Sequence, residues 1–137
     1  GRASHVTATP RAIELTEIAA LAAAEKLATD IVAYDVSDQL AITDAFLLCS
    51  GANDRQVRSI IDEVELRLKQ AGATLVRREG EHEGRWVLLD YNDLVVHVQN
   101  KEERVFYSLE RIWKDCPVIP LPEAAIAGNP ATSGDAR

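Results

Sequence analysis

The stretch Gly84-Arg85-Trp86-Val87-Leu88-Leu89-Asp90-Tyr91-Asn92-Asp93-Leu94-Val95-Val96-His97-Val98-Gln99 decides how this chain folds. Its two apolar runs read as strands, and Asn92-Asp93 between them suits a tight turn, because Asn and Asp tolerate positive φ better than other residues with a Cβ. Strand alternation puts Trp86 and Leu88 on one face and Val87 and Leu89 on the other. His97, between Val96 and Val98, projects opposite to both. The hairpin thus gathers Trp86, Asp90, Tyr91, Asp93 and His97, a cluster that suits an active site or a surface gripping another protein.

Outward from the hairpin, Lys101 to Lys114 has helical spacing, with Val105, Leu109, Ile112 and Trp113 on one face, and Pro117, Pro120 and Pro122 end it. On the N-terminal side, Thr74 to Arg77 reads as a third strand and Arg78 to Gly84 as a charged loop. Upstream lies the clearest helix: Asn53 caps it, Gln56 completes a variant capping box, Val57, Ile60, Ile61, Val64 and Leu68 form its apolar stripe, and Gly72 stops it. Ala45 to Ser50 is continuously apolar, as expected of a central strand covered on both faces. Ile31 to Val36 supplies another strand, and the Ala-rich run Thr16 to Ala28 a first helix, with Thr16 as its N-cap. Together these segments specify a single α/β domain: a mixed five-stranded sheet flanked by helices. The expected boundaries are a scar and flexible N-terminus over 1–12, a domain over 13–121, and a disordered Ala-, Gly- and Pro-containing tail over 122–137.

A chain of 137 residues with 47% hydrophobic and 27% charged residues has the composition of a soluble globular domain. The opening Gly-Arg-Ala-Ser-His reads as an expression-vector scar, so His5 carries no functional weight. No apolar run is long enough for a bilayer and no signal peptide is recognisable, so a cytoplasmic location is expected. Fifteen basic against 22 acidic residues, a net charge of −7, speak against nucleic acid as the main ligand and favour a basic partner. Cys49 and Cys116 lack metal or redox spacing and read as unpaired thiols.

The catalytic motifs are weak. Asp90 and Asp93 flank a turn, where carboxylates commonly serve the backbone. His97 has no second His at metal-ligand spacing, and His82 sits in the charged loop. Ser50-Gly51 before a helix lacks the remaining glycines and the Lys of a phosphate cradle. No catalytic residue, metal site or cofactor is expected. Trp86 is either a core plug or an interface anchor.

Taken in order, Ile42-Thr43-Asp44-Ala45-Phe46, Ser50-Gly51 with Arg55-Gln56, Glu79-Gly80, Gly84 to Tyr91, Asp93 to Val98, and Arg104 to Trp113 resemble the ribosomal silencing factor family, also called Iojap-like. The resemblance runs from about Ile13 to Leu121. It departs at Asn92, where the family usually has Gly, and at Asn53, where it often has Ser; Asn serves both positions. The resemblance implies a non-enzymatic protein, distantly nucleotidyltransferase-like in fold and often a homodimer when free. Such a protein binds the large ribosomal subunit through large-subunit ribosomal protein fourteen. There it blocks the small subunit and represses translation under nutrient limitation, with little direct nucleic-acid contact. On this reading Trp86, Leu88, Asp90, Tyr91 and His97 contact the partner, with Glu102, Glu103 and Arg104 at the polar rim. The rival reading is a nucleotidyltransferase-like enzyme, which needs a Gly-Ser loop and two aspartates one residue apart. Here the order is Ser50-Gly51, and Asp90 and Asp93 stand three positions apart.

Overall fold

The computed structural model describes residues 6–80 and 85–127. Helix α1 (Pro10–Glu25) precedes strands β1 (Thr29–Asp35) and β2 (Ala45–Gly51); helix α2 (Asp54–Gln70) leads to β3 (Arg77–Glu79), β4 (Trp86–Asp90) and β5 (Leu94–Asn100). Short helices α3 (Lys101–Tyr107), α4 (Leu109–Ile112) and α5 (Glu123–Ile126) complete the fold. The strands form one mixed sheet in the order β1-β2-β5-β4-β3, as the α/β reading expected. β2 and β5 run parallel, the chain between them passing through α2, β3 and β4, and the remaining pairings are antiparallel.

Alternation along the central strands divides the molecule into two layers. Leu47, Cys49, Val87, Leu89, Leu94, Val96 and Val98 point to one face, where α1, α2 and α5 bury them in the main core. Alanines at positions 19, 20, 22 and 23 of α1 are fully buried, so small side chains bring that helix close against its neighbours. Phe46, Leu48, Val32 and Tyr34 point to the other face, where Leu109, Trp113 and Cys116 make a smaller second core. β1 is not a bare edge: Asp35 N–H donates to Pro117 O and Ile119 N–H to Ala33 O.

Several boundaries differ from the sequence reading. α1 begins at Pro10, with Thr9 as the N-cap accepting from the Ala12 amide. Thr16, expected as the cap, lies inside the helix and returns its hydroxyl to Ala12 O at 2.7 Å. Ahead of the helix, the buried Asp35 carboxylate accepts the amides of Thr7 and Ala8, and Asp44 accepts that of Thr9. Residues 7–12 therefore belong to the folded body, contrary to a flexible segment ending at 12. Likewise α5 places Ala125 in the main core, so ordered structure extends past Leu121; residues 1–5 and 128–137 lie outside the described residues. The third strand sits at 77–79, later than expected, because only there does the chain reach the β4 ladder. The continuous helix expected over 101–114 is broken at Ser108, which takes a left-handed conformation with φ 48°.

Other expectations match. Asn53 Oδ1 accepts the Gln56 amide at 2.9 Å, while the Gln56 side chain accepts from Ala52 N–H and donates to the carbonyls of Lys26 and Leu27. Asn92 adopts φ 72° in the hairpin turn.

Candidate functional site

The pairing register fixes the neighbours of Trp86 on the sheet face away from α1 and α2. One row across β4, β5 and β2 aligns Leu88 with His97 and Leu48; the next aligns Trp86 with Gln99 and Ser50, and the one on the other side Asp90 with Val95 and Phe46. The second core covers this face over β1 and β2 only. At its β4 end Trp86, Leu88 and Asp90 remain half-buried, and this uncovered portion is the candidate site.

An aromatic row crosses it. Trp113 packs edge-on against Phe46 with centroids 4.9 Å apart, Phe46 lies 5.1 Å from His97, His97 6.2 Å from Trp86, and Trp86 4.7 Å from Tyr107 of α3. The Trp86 indole N–H donates to His97 Nδ1 at 3.2 Å, which places the proton of the neutral imidazole on Nε2. His97 is itself 6% exposed, and burial, with the Arg104 guanidinium adding to it, pushes its pKa down to about 4. A charged imidazole there would have to break the indole hydrogen bond. The pair therefore holds the half-buried Trp86 ring in one orientation.

Around Trp86, the short helices on either side of Ser108 leave Val105, Tyr107 and Ile112 outward, at 76%, 47% and 63% exposure. Sequence periodicity placed Val105 and Ile112 on a buried stripe with Leu109 and Trp113. The left-handed Ser108 rotates the last turn out of phase, so only Leu109 and Trp113 join the second core. Tyr107 was absent from the sequence-derived set; an aromatic within so charged a helix was its one signal.

The expected contact residues divide. Trp86, Leu88, Asp90 and His97 share this face, with Glu102 exposed and Glu103 half-buried beside it; Glu103 lies 3.5 Å from the Arg85 guanidinium. Asp90 is committed locally, accepting the Asn92 amide at 2.9 Å and facing Arg77 at 3.4 Å. Arg104 is not a rim residue. It is 6% exposed and bridges the Ser50 hydroxyl at 2.8 Å and the Glu110 carboxylate at 2.7 Å, tying α3 and α4 to the sheet. Tyr91, one residue past the end of β4, points to the helical layer and joins the main core. The chain leaves the strand geometry at that position, so simple alternation no longer assigns its face.

Among the described residues no three His, Cys, Asp or Glu side chains converge as a metal site would require. Cys49 is fully buried, its thiol pushed up to about 12 by desolvation, which makes it inert rather than nucleophilic. His82 lies outside the described residues.

Comparison with known proteins agrees with the residue pattern. Residues 9–137 match the family model described as "Ribosomal silencing factor during starvation". The chain is 41% identical over 107 residues to the ribosomal silencing factor of Bacillus subtilis, covering 78% of this chain and 91% of that protein. It is 39% identical over 108 residues to the same factor from Halalkalibacterium halodurans, covering 79% and 92%. A crystal structure of a Chromobacterium violaceum protein superposes with a TM-score of 0.71 at 33% identity, covering 74% of this chain and 84% of the other. The chain belongs to the ribosomal silencing factor family.

Proposed function

We propose that this protein silences ribosomes by docking the Trp86 face on the large ribosomal subunit. Its partner there is large-subunit ribosomal protein fourteen. Occupation of that site blocks joining of the small subunit and lowers translation when nutrients are short. The observation that carries the reading is the uncovered sheet face itself, with an oriented Trp86 and flanking apolar side chains. Interface hot spots favour such aromatic anchors ringed by polar groups. Leu88 and His97 extend the contact beside Trp86, Asp90 lies at its margin, and Glu102 and Glu103 form the rim. With a net charge of −7, the chain suits a basic protein better than exposed RNA. Function in the cytoplasm, without catalysis, and a homodimeric free state belong to this reading. No helix among the described residues is long and apolar enough to cross a membrane.

Sedimentation of the purified protein with separated subunits, followed by a subunit-joining assay, tests it. Co-migration with the large subunit and loss of joined ribosomes are expected. Trp86→Ala should weaken large-subunit binding by about 2 kcal/mol, roughly thirty-fold, while the protein stays folded. Unchanged binding by the folded variant rejects the anchor; nucleotide turnover without ribosome binding rejects silencing.

A further inference from the structure

Helix α3 packs over the ends of β2 and β5, and α4 over the second core, so the two form one cover that is fixed at both ends. At its start the Asn100 amide donates to Arg85 O, while the Asn100 side chain donates to Asp54 and caps the Glu103 amide. Past its end the Asp35 amide donates to Pro117 O. Between these points the underside is poorly matched to the sheet. The indole bond occupies His97 Nδ1, and the buried Nε2–H finds no acceptor among the described residues. Gln99, two residues along the same face and fully buried, has its amide oxygen likewise without a donor. Its amide nitrogen reaches Glu103 O of α3 only at 3.5 Å. Each unpaired buried polar atom carries a desolvation penalty that opening to water relieves.

The cover itself adds little that would hold it shut. α3 and α4 span seven and four residues, too short to keep helical structure without the sheet. Ser108 joins them in a left-handed conformation, φ 48° and ψ 53°, which a residue with a Cβ adopts at a cost. Val105 and Ile112 face outward and bury nothing against the sheet, leaving Leu109 and Trp113 as the apolar contacts. Arg104 is the latch: its guanidinium donates to the Ser50 hydroxyl of β2, whereas Glu110, its other partner, belongs to the cover and fastens nothing to the sheet. We propose that residues 101–113 form a hinged cover that opens as a unit while the main core stays folded. Opening brings His97 Nε2 and Gln99 Oε1 to water and takes Tyr107 off the Trp86 ring, so the cover gates the orientation of Trp86. That gating bears on the docking reading, but opening belongs to the free chain and is measured without ribosomes. Co-sedimentation measures docking, so the two fail separately.

Native-state hydrogen exchange of the full chain tests it. The hydrogen-bonded amides of residues 101–113 are expected to be at least about ten-fold less protected than those of β5. Val64→Ala, which thins the main core under α2, should speed β5 exchange by about ten-fold or more. It should leave 101–113 unchanged, because the cover opens without unfolding that core. Gln99→Met, which replaces the unpaired amide with an apolar chain of similar length, should slow exchange over 101–113 by at least about three-fold. Protection of 101–113 equal to that of β5, or exchange there that rises in step with β5 in Val64→Ala, overturns the proposal. So does exchange over 101–113 that Gln99→Met leaves unchanged or speeds.

Discussion

His97 shows how one side chain ties stability to the proposed function. Its pKa in the folded chain, about 4, lies below the 6.5 of an exposed imidazole. As pH falls through 6.5 the unfolded chain takes up a proton that the folded chain refuses. The stability this group contributes is therefore complete above pH 6.5 and lost as pH falls toward 4. The span corresponds to about 3 kcal/mol. Asp35 acts in the same direction at lower pH: burial raises its pKa, but hydrogen bonds from Ser37, Ala8 and Thr7 outweigh that and hold it below the ordinary carboxylate value. Urea denaturation at pH 7 and at pH 4.5 should show the loss, and His97→Phe should flatten the pH dependence over that interval. An equal dependence in the variant would assign the loss to other groups. Sequence reading placed His97 opposite Val96 and Val98 correctly, but its neutral state depends on Trp86, Phe46 and Arg104 closing over it, which no local pattern contains.

Among the elements, β3 and the pair α3–α4 are held by single residues. Gly80 closes β3 with φ 85°, and a Cβ there would stand 2.1 Å from Trp86 O. Both the positive φ and the close backbone approach demand glycine. Gly80→Ala should cost about 2–4 kcal/mol by peeling β3 from β4, visible as faster amide exchange in residues 86–90. Arg104 performs the corresponding task for the short helices. Its removal leaves Ser50 and Glu110 without their shared partner, so Arg104→Ala should cost about 2–4 kcal/mol and expose the second core. Thermal denaturation with exchange measured across residues 101–113 checks this; a loss below about 0.5 kcal/mol would return Arg104 to the surface role that its charge alone suggested.

For the whole molecule, the packed body runs past both boundaries expected from sequence. Removing residues 122–137 should lower stability by about 1–3 kcal/mol, because it strips Ala125 and Ile126 from the main core; urea midpoints of the full and shortened chains measure it. Those residues were invisible as core because a four-residue helix of small side chains carries no periodicity worth reading. Strands β1, β2, β4 and β5, the α2 cap and stripe, and the Asn92 turn were legible because each rests on local rules: apolar patterning, capping chemistry and tolerance of positive φ; β3, three exposed charged residues, was misplaced because only its pairing with β4 defines it. Those rules also put Trp86 and Leu88 on one side of the hairpin and Val87 and Leu89 on the other. They could not say which side faces out, since both are apolar. Only the packing of α1, α2 and α5 decided that, burying Val87 and Leu89 and leaving Trp86 and Leu88 half-uncovered. The same long-range contacts turned Tyr91 toward the helices and drew Arg104 inward. Sequence determined the elements and the family; the tertiary structure alone determined which face of the sheet is available, because burial depends on partners distant along the chain.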